Sequence, residues 1–181
     1  VEPVEVKSEG WVQYTTAVGA TTADAVSMDV RVRANGTGTL WVDDIDLIEY
    51  DAEEQPADKN LIINGDFENG TADHYIVATG DGATATIDTE VFKNGTASMR
   101  LDVTNPTSNI FVGNHVKDGT FDPSKRYRIS FWMKTEGVEG VAKPSGGDPD
   151  PGACFKMLQT DAGAALDWVV RYGRESHFVT F

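Results

Sequence analysis

Cysteine is almost absent from this chain, and its one thiol, Cys154, excludes an internal disulfide framework. Taken alone, Cys154 reads as a small buried apolar residue, with a reactive thiol as the alternative. Histidine is scarce too. His74, His115 and His177 lie in unrelated segments, and none shows a His-x-x-x-His metal-ligand spacing. There is no phosphate loop, no nucleophile elbow and no Cys–His arrangement. Nothing among the many carboxylates singles out a raised-pKa acid beside a nucleophile, so no catalytic residues are expected. Cations are in deficit too: 15 Lys and Arg stand against 29 Asp and Glu, a net charge of −14. That balance argues against nucleic acid and against anionic membrane surfaces as partners. No apolar run approaches the length of a membrane span, so no membrane insertion is expected. The chain opens with neither an initiating Met nor a signal peptide, and reads as an excised or processed segment.

What is present is alternation. At 181 residues and 40% hydrophobic, the chain suits one large or two small domains and can bury a real core. Val26, Met28, Val30 and Val32 face one way, and Ser27, Asp29, Arg31 and Arg33 the other. Met99, Leu101 and Val103 alternate with Arg100 and Asp102. Tyr127, Ile129, Phe131 and Met133 alternate with Arg128, Ser130, Trp132 and Lys134. Period two is what a sheet with one buried face requires. Asn-Gly pairs begin at 35, 64, 69 and 94 and supply the positive φ that tight turns need. About a dozen short strands at this spacing predict an all-β fold, an antiparallel β-sandwich. No long amphipathic helix is expected. Residues 161–172 allow a short one, although Val169, Val170 and Tyr172 favour strand. Lys143–Gly152 is too rich in Pro and Gly to pair in a sheet; its two aspartates either bind a cation or belong to a solvated loop. The Asn-Gly-Thr triplets at 35, 69 and 94 match the N-glycosylation acceptor pattern, but Asn-Gly followed by Thr is first of all ordinary hairpin chemistry.

Five stretches carry a family resemblance. Asn60-Leu61 through Asn64-Gly65-Asp66-Phe67-Glu68 resembles the first strand of carbohydrate-binding modules of families 4, 9, 16 and 22. Lys93–Leu101 and Tyr127–Lys134 resemble their middle strands; Gly10–Tyr14 and Leu40–Ile45 resemble their last strands. A Trp usually follows the opening strand in such modules, and here Tyr75 stands nearest that place. The resemblance implies a jelly-roll sandwich met in permuted order. Residues 1–50 would be closing strands, 51–59 an acidic linker, and 60–181 opening and middle strands. The two outer segments are expected to complete one sandwich, either within one chain or between chains by strand exchange, the second route giving self-association.

Two kinds of site are expected. If Ile45 and Leu47 point into the core, parity places Trp41 and Asp43 on the same face, and a buried carboxylate needs a partner or a metal. Glu68 follows the expected core anchor Phe67. Asp66 and the backbone carbonyls near Lys93 and Asn94 would complete an all-oxygen shell suited to Ca²⁺. The resemblance implies a structural calcium at about this junction. The alternative is that Asp43 caps backbone donors or pairs with Arg100 or Arg128. For sugar, flat aromatic faces and planar hydrogen bonders are needed. Trp132, Tyr75, Trp168 and Gln159 are the carbohydrate-binding candidates, with Trp11 and Tyr14 behind them. Trp132 leads because it falls opposite Tyr127, Ile129 and Phe131; core or rim packing is its alternative role.

The functional expectation is a non-catalytic, secreted or cell-surface module that binds a polysaccharide on a sheet surface, accessory to a glycan-degrading enzyme. The alternative is a structural repeat of a surface layer, adhesin or extracellular filament, built on the same sandwich. A lyase or hydrolase on a jelly roll is a third reading.

Overall fold

The computed structural model describes residues 10–15, 18–20, 25–34, 36–51, 53, 55–72, 75–79, 82–105, 110–116, 121–138, 153–161 and 165–171. His74, His177 and the 143–152 loop lie outside them, as does Asn35.

Twelve strands follow one another: β1 (Val12–Thr15), β2 (Gly19–Ala20), β3 (Ala25–Ala34), β4 (Gly38–Tyr50), β5 (Pro56–Asn60), β6 (Tyr75–Ala78), β7 (Ala83–Asp88), β8 (Ser98–Val103), β9 (Ile110–Val116), β10 (Arg126–Glu136), β11 (Ala153–Asp161) and β12 (Ala165–Arg171). They form a seven-stranded sheet in the order β1-β10-β4-β8-β7, with β2 on β10 and β5 on β4, and a five-stranded sheet in the order β12-β11-β3-β9-β6. The strand pairings are antiparallel. Residues 161–172 contribute β12, the outcome favoured by their β-branched residues.

Alternation decides which face is buried. Met28, Val30 and Val32 of β3 join Met99, Leu101 and Val103 of β8 and Tyr127, Ile129, Phe131 and Met133 of β10 in one hydrophobic core drawn from both sheets. The molecule is thus an antiparallel β-sandwich. Its two central strands come early in the chain: β3 lies between β11 and β9, and β4 between β10 and β8.

Three local features depart from the sequence expectations. The first is a β-bulge in β4. Ser130 faces Asp46, whereas Trp132 faces Asp43, so Asp44 and Ile45 together oppose Phe131. Asp44 takes φ 49°, a left-handed conformation that Asp tolerates better than most residues. The extra residue resets parity. Leu40 and Val42 enter the core before the bulge, and Ile45 and Leu47 after it. Trp41 and Asp43 therefore lie on the opposite face from Ile45, not on the same one.

The second concerns 60–68, expected as an opening strand. Only Asn60 belongs to a strand; the chain then turns, with Asn64 at φ 57° and Phe67 at φ 56°. The turn is held against β4. Ile45 N–H donates to Gly65 O at 2.9 Å, and Leu61 N–H to Leu47 O at 2.9 Å. A Cβ at Gly65 would stand 2.1 Å from Ile45 O, so only glycine permits this approach. The Asn60 side chain does the rest, accepting from Leu47 and Ile62 N–H and donating to Ile45 O at 3.0 Å. Phe67 is fully buried and packs on Tyr75, the ring centroids 5.1 Å apart.

The third is the stretch expected as a linker. Its last residues, from Pro56, form β5 and pair along β4. Pro at a strand's first position is compatible with pairing there.

Candidate functional site

Because Tyr127, Ile129, Phe131 and Met133 are buried in the core, the intervening residues of β10 project from the outer face of the seven-stranded sheet. They run Arg126, Arg128, Ser130, Trp132, Lys134. Trp132 is half-buried and stands between two cross-strand partners, Gln13 of β1 and Asp43 of β4. Three large aromatics on this face, Trp132, Trp41 and Tyr50, each meet a cation. The Lys93 ammonium lies 4.4 Å from the centre of the Trp132 ring. Trp41, only 3% exposed, is flanked by Lys134 at 4.9 Å and Arg100 at 5.3 Å. Arg128 lies 5.2 Å from the centre of the Tyr50 ring. Such pairs draw on the ring quadrupole and hold both partners in place.

Lys93 belongs to the β7–β8 connection, and three carboxylates grip that loop by its backbone. Asp88 accepts from the N–H of Glu90 and Val91 at 2.8 and 3.0 Å, and from the Trp41 indole N–H at 2.8 Å. Asp43 accepts from Lys93 and Asn94 N–H at 2.8 and 3.3 Å, and from its neighbour Asp44 at 2.8 Å. Glu68 accepts from Thr96 and Ala97 N–H at 2.8 and 3.1 Å, and from the Thr96 hydroxyl at 2.7 Å. Asn94 also donates through its side chain to Asp44. Gly95 takes φ 65° beneath Glu68. Anionic acceptors form stronger hydrogen bonds than neutral ones, so the loop is set before any ligand arrives.

The carboxylates respond differently to this arrangement. Asp43 is fully buried, and desolvation pushes its pKa up to about 6 despite the bonds from Lys93, Asp44 and Asn94. Burial also raises Asp46, helped by Asp44 and opposed by Arg128. The hydrogen bonds from Thr96 hold Glu68 below the usual carboxylate range. Burial works against ionisation of Asp88 as well, but the bonds from Trp41, Glu90 and Val91 outweigh it and leave its pKa lowered.

The expected calcium shell can be tested against these contacts. Both oxygens of Asp43 and both of Glu68 already accept N–H or O–H donors, and donor hydrogens aimed at those oxygens would oppose a cation beside them. Asp66 accepts the Glu68 N–H at 3.4 Å. Among the described residues no three His, Cys, Asp or Glu side chains converge to hold a metal ion. As folded, Asp43 and Glu68 clamp the loop backbone and Asp66 accepts the Glu68 N–H; a calcium ion there would have to draw on backbone carbonyls beside these carboxylates.

The sugar candidates are dispersed. Trp132 lies in the seven-stranded sheet; Tyr75, Gln159 and Trp168 lie in the five-stranded one. Tyr75 packs on Phe67 against the core and donates to Asn64 O at 3.3 Å, and burial raises its hydroxyl pKa. Gln159 stands opposite Met28 in register, and Trp168 opposite Met157. Tyr14 stacks on Phe131 at 5.3 Å and so belongs to the packing of the core. Gln13 and the cation row were not among the expected site residues. The row was readable as Arg126, Arg128 and Lys134 at even spacing around Trp132; the contribution of Gln13 depends on β1 pairing with β10.

A family match covers strands of both sheets, β7, β8 and β10 of this one and β6 and β9 of the other. Residues 59–143 match the carbohydrate binding domain family of the 4/9 type. The matched segment runs from the end of β5 through β10 and so includes Trp132, Lys93 and Glu68. The central strands β3 and β4 precede it. No curated protein and no solved structure matches the chain.

Proposed function

We propose that this protein is a non-catalytic, secreted carbohydrate-binding module that holds a polysaccharide on the outer face of its seven-stranded sheet, as an accessory to a glycan-degrading enzyme. The observation that carries the reading is the coincidence of the family match with β10, whose outward side presents the half-buried Trp132 beside the exposed Gln13. An indole edge and a planar amide together can meet the apolar face and the hydroxyls of one sugar ring. The clamp on the Lys93 loop keeps this surface preformed, which lowers the ordering cost of binding.

The test is affinity electrophoresis against a panel of soluble polysaccharides, followed by titration of the best ligand. Trp132→Ala should weaken binding by about tenfold or more, equivalent to about 1.4 kcal/mol, while the melting temperature stays near that of the parent. Retardation by none of the panel, or unchanged affinity in the variant, overturns the reading. Ordered polymerisation without glycan affinity would point instead to a structural repeat.

A further inference from the structure

We infer that the polysaccharide bound on this face is anionic, carrying carboxylate or sulfate groups; the inference rests on the proposed glycan-binding reading and specifies its ligand class. Stacking of a neutral pyranose needs an open aromatic face. Here Trp41 and Tyr50 are 3% and 5% exposed, and cations lie over both. The Trp132 ring has the Lys93 ammonium 4.4 Å from its centre. What the sheet offers outward along β10 is a row of cationic groups held on aromatic supports, with Arg128 towards one end, Lys93 over Trp132, and Lys134 beyond.

These charges are not consumed by ion pairs. Among the described residues the ion pairs join Arg31 to Asp29, and Arg100 to Asp88 and Asp102; Lys93, Arg128 and Lys134 take part in none. Three acidic groups on the same face are engaged elsewhere. Asp43 accepts backbone N–H groups, Asp44 accepts the Asn94 amide, and Asp46 accepts the Asn60 amide at 2.7 Å while attracting Arg128 from beyond ion-pair distance. Glu136 is exposed at the end of β10. Arg128 Nε is buried without a hydrogen-bond partner, and burying such a donor is costly enough to hold the guanidinium only where the rest of the group is well placed. The Lys93 backbone is fixed in advance by the bond from its own N–H to Asp43.

The net charge of −14 repels a polyanion at long range. At physiological ionic strength, however, charges further apart than about 8 Å are largely screened, so the local row decides the contact. Cations spaced along β10 and the loop beside it also match charges repeated along a polymer better than a single anion.

The experiment compares polymers that differ only in charge: polygalacturonate with its methyl-esterified form, and dextran sulfate with dextran. The charged member of at least one pair should bind about tenfold tighter or better, a difference of about 1.4 kcal/mol, and which pair responds separates carboxylate from sulfate. Lys93→Gln with Lys134→Gln should remove most of that preference. Lys59→Gln, which removes the same charge from β5 outside the row, should leave it intact. Equal affinity within both pairs overturns the inference while the glycan-binding reading stands. Binding to no polymer, charged or neutral, overturns both. A charge preference that survives the paired Lys93 and Lys134 substitutions, in a variant that melts like the parent, overturns the assignment to this face.

Discussion

Asp43 Oδ2 accepts the backbone N–H of Lys93 at 2.8 Å, tying the centre of β4 to a loop 50 residues further along the chain. The same carboxylate also receives Asn94 and Asp44 N–H, so one fully buried side chain fixes the backbone from which the Lys93 side chain reaches over Trp132.

Asp43→Ala should therefore destabilise the fold and loosen the loop. It leaves buried N–H donors without an acceptor, at a cost of about 1–3 kcal/mol for each that water cannot reach. The melting temperature should fall, and amide exchange at Lys93 and Asn94 should accelerate. Asp43→Asn retains one carbonyl oxygen and should lie between the two. An alanine variant with parental stability and protected amides would show that the clamp is not held by this residue.

The pH dependence of Asp43 has a definite sign. Its folded pKa of about 6 exceeds the ordinary 3.8, so between these values the folded chain binds more protons than the unfolded one. The Asp43 contribution is an ionisation penalty, present in full above about pH 6 and relieved as pH falls towards 3.8. Glu68 and Asp88, with lowered values, act in the opposite direction in acid. A carboxyl carbon resonance titrating near pH 6 and absent in Asp43→Asn is the expected observation; a midpoint below 4 would contradict it.

Gly95→Ala should be costly although the position is exposed. The added Cβ would stand 2.2 Å from Glu68 Oε1, at φ 65°. Left-handed strain in a non-glycine residue costs about 1–3 kcal/mol, and the displaced Glu68 would lose its bonds to Thr96 and Ala97. Chemical denaturation measures the loss, and a change within experimental scatter would argue against the close approach.

Excess chelator should leave the melting curve where it is. The oxygens of Asp43 and Glu68 are already acceptors for the loop, and a bound ion stabilises the fold only as its free concentration exceeds its dissociation constant. A chelator-induced fall in melting temperature, reversed by added Ca²⁺, would show instead that the carboxylates rearrange around a cation.

Light scattering across a dilution series should report a monomer. β3 and β4 occupy central positions in sheets completed by other strands of the same chain. Assemblies that persist on dilution would indicate exchange of those strands between molecules.

Much of the core was legible before the fold. The alternating residues of β3, β8 and β10 face inward as read, because a sheet with one buried face leaves its period in the sequence. The left-handed turn at Asn64 was also marked by its residue type. Parity failed at Trp41 and Asp43, two residues before Ile45. A bulge is a mismatch in residue number between two paired strands, and the sequence of β4 alone does not show how many residues of β10 it will meet.

By itself, then, the sequence determined the fold class, the buried faces and the family 4/9 likeness of 59–143, because each rests on residues close together in the chain. Tertiary structure alone decided that Asp88, Asp43 and Glu68 converge on one loop, that Lys93 is carried over Trp132, and that Tyr75 is drawn away into the other sheet. Those outcomes depend on strand order and register. They are set by burying two sheet faces at once, and no local pattern encodes that constraint.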